Sequence, residues 1–244
     1  MFGFFKRKIK SNKLFKFEFL NQDIHSHILP GLDDGSPDLE TSIRLVKGLY
    51  NLGIRNTIAT PHIIGDMFRN SPDTIMPALK LLQDEVNRQG IDITISAGAE
   101  YMLDDYFQQL LREKKKLLTI HNNIILTEFS YALEPRKVED MAFGIFTAGY
   151  QPLLAHPERY FYFHKNTEKY TRLKDLGFLF QINLLSFTGY YGVEVQKVAK
   201  MLVDKGMADH VGTDMHHIRH LECITNNLDI IQQGMKSAKY NSFY

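Results

Sequence analysis

The chain has 244 residues, 44% of them hydrophobic, with 29 basic and 28 acidic side chains and a formal net charge of +1. This content supports a buried core and excludes a disordered chain, and the balanced charge gives no basis for a nucleic-acid partner. The single cysteine, Cys223, excludes an intrachain disulfide scaffold and points to the reducing cytoplasm, and no apolar run approaches the ~18 residues of a membrane span.

Residues 1–20 read as a basic, aromatic arm. Lys6, Arg7, Lys8, Lys10, Lys13 and Lys16 stand against one acid, Glu18, with phenylalanines between them. The charges interrupt the continuous apolar core that a secretory signal needs. Such a segment suits first a mobile tail or an arm packed on its own domain, next contact with a partner or a second copy, and last peripheral contact with an anionic membrane surface. From residue 21 to 244 no Pro/Gly/Ser-rich linker breaks the chain, so one domain is expected.

Within that domain, seven short apolar runs alternate with amphipathic stretches. The runs lie near Asp23–His25, Ile54–Thr60, Ile91–Ala97, Asn123–Leu126, Gln151–Ala155, Phe178–Asn183 and Asp209–Gly212. Several are rich in Ile, Leu and Val with little polar alternation, which predicts strands buried on both faces in a parallel sheet. Ser36-Pro37-Asp38 reads as an N-cap, a proline at the first helical position and a first-turn acid. Ile43, Val46, Leu49 and Tyr50 follow at helical spacing, and Ser71-Pro72-Asp73 repeats the start signal. Further helices are predicted over Leu103–Lys115, Pro135–Ala148, Thr167–Leu176, Val193–Lys205 and His217–Met235, several of them closed by glycine. Repeated β-then-α units without a linker predict a barrel or a doubly wound sheet.

The polar residues at the strand ends decide between these. The first run ends in Asp23-Ile24-His25-Ser26-His27, followed by Asp33-Asp34-Gly35. Later runs end in Thr60-Pro61-His62, Gly98-Ala99-Glu100, Thr127-Glu128-Phe129, His156-Pro157-Glu158-Arg159, Asn183 and Gly212-Thr213-Asp214-Met215-His216. Six of these seven ends thus deliver a candidate metal ligand, all at the end where parallel barrels place their chemistry. Two histidines separated by one residue point their imidazoles to the same side of a strand. Imidazole and carboxylate donors without thiolates suit Zn, Mn, Fe or similar ions. His121, His164, His210, His217 and His220 read as ordinary surface or hydrogen-bonded histidines. Asp33 and Asp34 sit in a turn-like segment where only one need be a ligand, and Glu158 equally suits a cap or turn.

Together these motifs closely resemble the PHP (polymerase and histidinol phosphatase) superfamily. Order and spacing are most similar to its protein-tyrosine phosphatase branch, the CpsB/YwqE type of bacterial capsule and exopolysaccharide loci. The match runs from Asp23 to His216. The resemblance implies a single-domain, distorted (β/α)7 TIM-like barrel with three divalent metals, manganese favoured and Fe, Zn or Mg as alternatives. By the same resemblance His25, His27, Glu100 and Asp214 hold one metal. Glu100 bridges to a second with His62 and His156, and Asp34, Glu128 and His216 serve the third. Arg159 matches a substrate-binding, catalytic arginine. Arg219 is offered for a second such role, although it stands slightly out of place against the family's later arginine. The implied substrate is phosphotyrosine, on the tyrosine-rich tail of a bacterial tyrosine autokinase. Tyr240 and Tyr244 read as ordinary tail tyrosines.

Other phosphatase chemistries lack their residues. A cysteine-based tyrosine phosphatase needs an arginine six positions after its nucleophile, where Cys223 is followed by Asp229. Gly144 and Gly149 have P-loop spacing, but Tyr150 replaces the lysine. The competing expectations are a histidinol-phosphate phosphatase of the same superfamily, an amidohydrolase or TatD-like barrel hydrolase, and a catalytically silent scaffold partner of an exopolysaccharide kinase.

Overall fold

A computed structural model of the chain describes residues 20–236. The basic arm up to residue 19, with Tyr240 and Tyr244, lies outside the described residues. Leu20 packs half-buried against the core.

The first half of the chain alternates between strands and helices, with extra short strands after two of the expected ones. Strand β1 (Gln22–Ser26) is followed by α1 (Leu39–Asn51), β2 (Asn56–Ala59), β3 (His62–Ile64), β4 (Phe68–Arg69), α2 (Pro72–Arg88), β5 (Thr94–Ala97), β6 (Glu100–Met102) and α3 (Asp105–Arg112). Next come β7 (Ile124–Glu128), α4 (Val138–Thr147), β8 (Gln151–Ala155), a 3-10 turn at Pro157–Arg159, α5 (Phe161–His164) and α6 (Glu168–Asp175). The chain continues through β9 (Leu179–Asn183), a second 3-10 turn at Leu184–Thr188, α7 (Val193–Asp204), β10 (His210–Gly212), α8 (Ile218–Asn226) and α9 (Leu228–Met235).

Local chemistry sets the helix boundaries. The start of α1 corrects the sequence expectation: the cap is Asp38, not Ser36, and its carboxylate accepts from the Thr41 amide at 2.8 Å. Ser36 is instead buried, and its hydroxyl donates to the Asp38 carbonyl. Ser71 does cap α2, with Pro72 at the first helical position and the Ser71 amide donating to Thr74 Oγ1. The stretch predicted as one helix from His217 to Met235 is two, broken at Asn227. The Asn227 amide side chain donates to the Cys223 carbonyl, satisfying an acceptor left at the end of α8.

Seven predicted strands are present, and three short ones (β3, β4 and β6) were not predicted. β3 and β6 are resumptions: β2 stops at Thr60-Pro61 and restarts at His62, and β5 stops at Gly98-Ala99 and restarts at Glu100. Proline has no amide proton for a ladder, so the pairing breaks there. Two main-chain bonds carry the pairing across the gaps, Gly98 N to Ala59 O and Glu100 N to Pro61 O. The result is a three-stranded parallel sheet, β1-β2-β5, and a seven-stranded sheet, β10-β9-β8-β7-β6-β3-β4, parallel except for the β3–β4 hairpin. The ladders do not form the single closed sheet that the sequence predicts. β1 and β10 meet through one bridge, Ser26 to Met215, and two bonds, His27 N to Met215 O and Asp214 N to His25 O, both 2.8 Å.

Ile24, Ile58, Ile120, Leu126, Leu153 and Ala155 form a small apolar cluster of their own, distinct from the larger core. Neighbouring strand residues such as Ile125 and Leu154 pack into that larger core instead. Side chains on both faces of β7 and β8 are therefore buried, which is why these strands show no polar alternation. Each such leucine or isoleucine contributes ~1.5–3 kcal/mol on burial.

Candidate metal centre

His25 and His27 are fully buried, and their Nε2 atoms converge to 3.1 Å. Both lie near the same two oxygens. Glu100 Oε2 is 3.2 and 3.3 Å away, and Asp214 Oδ1 is 3.2 and 3.5 Å away. The outer nitrogen of each ring is engaged: His25 Nδ1 donates to Gln181 Oε1 at 2.7 Å and His27 Nδ1 to Asp33 Oδ2 at 2.8 Å. These partners hold the tautomer that leaves both Nε2 lone pairs facing inward. The close approach of β10 is built in, because a Cβ on Gly212 would stand 2.8 Å from the His25 Cβ.

His62, at the start of β3, places Nδ1 3.2 Å from Glu100 Oε2 and 2.9 Å from Glu128 Oε1. His62 Nδ1 and Glu128 Oε1 are nonetheless buried without hydrogen-bond geometry. Two close donor atoms with no proton geometry between them suit a cation ligated by both. His156 Nε2 reaches Glu100 Oε1 at 3.0 Å. His216 Nε2 and His62 Nε2 each lie 3.5 Å from Asp34 Oδ1. Asp33 turns the other way, accepting from His27 Nδ1 and from the His62 and Gly35 amides.

All nine predicted metal residues therefore come together. Four groups have ligand atoms within 4.8 Å of one another: His27, Asp34, His62 and His216; His25, His27 and Glu100; His25, His156 and Asp214; and His62, Glu100 and Glu128. Glu128 stands with His62 and Glu100, while His156 lies both beside Glu100 Oε1 and in the group with His25 and Asp214. Imidazole and carboxylate donors without thiolate fit Zn-, Mn- or Fe-class ions. The electrostatics show a strongly anionic centre: burial would lower the His25, His27 and His62 imidazoles, but the carboxylates around them raise all three, His62 to about 9. Burial would raise the Glu100 carboxyl, but His25, His62 and His156 hold it well below its ordinary range. Burial lowers His156 to about 4, leaving it a neutral ring with a lone pair to give. His156 and Asp214 also adopt left-handed backbone, φ 37° and 51°, rare conformations that gather where a chain must aim a side chain.

A cavity of about 250 Å³ opens onto Asp34, His62, His156, Asp214 and His216, with Tyr131, Arg159 and Tyr191 also in its lining. Arg159 Nη1 donates to Asp214 Oδ2 at 2.8 Å. Arg219 is exposed and does not line the cavity, whereas its neighbours His217 and His220 do. Glu158 is buried and serves the fold: Oε1 accepts from the Asn183 amide and the Ser186 hydroxyl, and burial raises its carboxyl to about 7. Sequence reasoning did not find Tyr131, Tyr191 or Gln181 at the site, and it set apart as ordinary histidines His217 and His220, which line the cavity. For Gln181 there was a signal, because Gln181 and Asn183 are polar at alternate positions of an otherwise apolar strand.

A parallel α/β fold that gathers buried imidazoles and carboxylates at one end of its strands defines a metal-binding α/β protein. The chain belongs to the capsular polysaccharide synthesis CpsB/CapC family, whose model matches residues 21–239. YwqE of Bacillus subtilis (strain 168), named a tyrosine-protein phosphatase, is 30% identical over 197 residues, 81% of this chain and 78% of that protein. A solved structure from the pair YwqE of Bacillus subtilis and CpsB of Streptococcus pneumoniae, described as metal-dependent tyrosine phosphatases, has a TM-score of 0.78 at 28% identity. It covers 88% of this chain and 89% of that one. Histidinol phosphate phosphatase of Lactococcus lactis, solved with zinc, L-histidinol and phosphate, matches at TM-score 0.52 and 14% identity over 88% of this chain and 93% of that one, a likeness of fold alone.

Proposed function

We propose that the chain is a metal-dependent protein-tyrosine phosphatase acting on a bacterial tyrosine autokinase that controls capsule or exopolysaccharide synthesis. The observation that carries this is the convergence of five imidazoles and four carboxylates on one cavity that also holds Arg159. The names of the family's relatives support the substrate. The two sheets act as one distorted seven-stranded (β/α) barrel, with β2–β3 and β5–β6 each counting as a single stave.

The metal ligands are His25, His27, Asp34, His62, Glu100, Glu128, His156, Asp214 and His216, holding three divalent ions, manganese favoured. When bound, such ions would supply neutralisation of phosphoryl charge and a lowered pKa for water as the nucleophile near neutral pH. The chain's own groups do the rest. Gln181 and Asp33 keep the lone pairs of His25 and His27 turned to the centre. Asp214 divides its carboxylate, Oδ1 toward the imidazoles and Oδ2 toward Arg159 and the Asn183 amide side chain. Arg159 offers its remaining N–H edge to the phosphoryl oxygens. A phenolate leaves readily, so no strong general acid is required. Arg219, on the exposed side of α8, is held for a second contact with the phosphopeptide.

A cytoplasmic setting is part of this proposal, and the unpaired Cys223 supports it because a reducing compartment keeps a free thiol stable. Among the described residues no helix is long and apolar enough to cross a membrane. Residues 1–20 are proposed as an arm for peripheral or oligomer contact outside the phosphatase domain at 21–244. The test is hydrolysis of a phosphotyrosine peptide by purified protein with Mn²⁺ or with EDTA, alongside histidinol phosphate. Metal-dependent release from the peptide alone is expected. Release from histidinol phosphate alone would transfer the protein to that branch, and no release with metal bound would favour a silent scaffold.

A further inference from the structure

The Arg159 guanidinium lies over two aromatic rings. Its Cζ lies 4.3 Å from the Tyr191 centroid and 4.9 Å from the Tyr131 centroid. Asp214 Oδ2 accepts from Nη1, and among the described residues no second acceptor engages the guanidinium. The three anchors arrive from three places: Tyr131 from the loop after β7, Tyr191 from the turn before α7, and Asp214 from the turn after β10. Tyr131 is itself braced, with its hydroxyl 3.1 Å from His156 Nδ1 and its ring 5.5 Å from the Tyr160 ring. Tyr191 meets the Tyr190 ring edge-on at 5.1 Å.

A guanidinium in contact with two rings and bonded through Nη1 to Asp214 has its plane and direction restricted, and its remaining N–H groups are left without an acceptor among the described residues. Those groups belong to a side chain that lines the cavity and is 24% exposed. A free arginine loses rotamer entropy when it grips a ligand. Here that loss occurs on folding instead.

We propose that Tyr131 and Tyr191 are positioning residues that clamp Arg159, so that its free N–H edge is preset for the phosphoryl group of an aryl phosphate. The clamp sets affinity for the phosphoryl group more than turnover. This rests on the phosphomonoesterase function proposed above. Leucine at either tyrosine keeps bulk but removes the ring face that attracts the cation, phenylalanine keeps the face, and lysine at Arg159 loses the planar group that two rings can hold.

The experiment uses the full-length, Mn²⁺-loaded enzyme and its Tyr131→Leu, Tyr191→Leu, Tyr131→Phe, Tyr191→Phe and Arg159→Lys variants. KM and kcat on a phosphotyrosine peptide are measured, with Kd for inorganic phosphate by calorimetry, metal content by mass spectrometry and fold by circular dichroism. The leucine variants are expected to raise KM and phosphate Kd about tenfold. Their kcat should change by less than about threefold, with full metal content. The phenylalanine variants should regain most of the lost affinity. Tyr191→Leu added to Arg159→Lys should cost little beyond Arg159→Lys alone, because the pair acts as one unit. Unchanged KM and phosphate Kd in both leucine variants would overturn the clamp. So would loss of kcat in step with loss of metal, which would make the tyrosines supports of the metal centre. If the wild type hydrolyses histidinol phosphate and not the peptide, the substrate fails while phosphate Kd still decides the clamp.

Discussion

At the scale of single residues, the centre separates atoms that face the cavity from atoms that aim them. His27 and Asp214 supply inward atoms to a shared set of neighbours, so His27→Ala or Asp214→Ala removes a donor that nothing else replaces. Either is expected to abolish turnover in a phosphatase assay while circular dichroism stays close to wild type. Asp33 acts one step removed, through the 2.8 Å bond to His27 Nδ1 and its bond to the His62 amide. Asp33→Ala should therefore cost about 10–100-fold in activity or metal affinity, less than a lost ligand. A titration with Mn²⁺ that leaves Asp33→Ala indistinguishable from wild type would remove that role. Which of two adjacent aspartates faces the cavity was not legible in Leu-Asp-Asp-Gly, because both suit a turn. The fold separates them: Asp33 is tied to two histidines, and Asp34 is left at the cavity mouth.

At the scale of elements, the loop between β1 and α1 is held by close approach. A Cβ on Gly35 would stand 2.2 Å from the His27 carbonyl oxygen and 2.4 Å from the His27 Cβ, contacts that only backbone movement can relieve. Gly35→Ala is expected to displace Asp33 and Asp34 together and to weaken metal binding at least as much as Asp33→Ala, with helix content retained. Calorimetric metal titration beside far-UV circular dichroism separates these effects. The predicted strands and most helices appear where periodicity places them, since burial on two faces or on one stripe is a local property of the chain. The misplaced α1 cap and the break at Asn227 are not legible that way. Ser36 and Asp38 are both competent caps, and which one caps depends on where Ser36 is buried. The split of α8 from α9 lets His220 and Ile224 on one helix, and Leu228 and Ile231 on the other, reach the interior.

At the scale of the whole molecule, one buried carboxylate joins the first strand to the last. Asp23 accepts from the Thr213 amide at 2.9 Å and the Thr213 hydroxyl at 2.6 Å, across 190 positions of sequence. Asp23→Ala leaves those donors unpaired beside the β1–β10 seam and should cost about 1–3 kcal/mol in urea unfolding. At this chain length each kcal/mol lowers Tm by about 2–4 °C. Metal binding adds to the same stability, since ions that bind the folded centre and not the unfolded chain shift the equilibrium by mass action. Adding EDTA is expected to lower Tm, and Mn²⁺ to restore it in a concentration-dependent way. An unchanged Tm would mean the buried carboxylates and imidazoles hold their places without a cation. The sequence by itself determined the donor types, their arrival at one end of successive strands and the parallel α/β class, because strand periodicity and residue chemistry are written locally. Only the tertiary structure decided how the donors group, that the strand ladders stay in two sheets, and that Tyr131 and Tyr191 meet Arg159. Those outcomes depend on register between strands and on loops far apart in the chain, which no local pattern encodes.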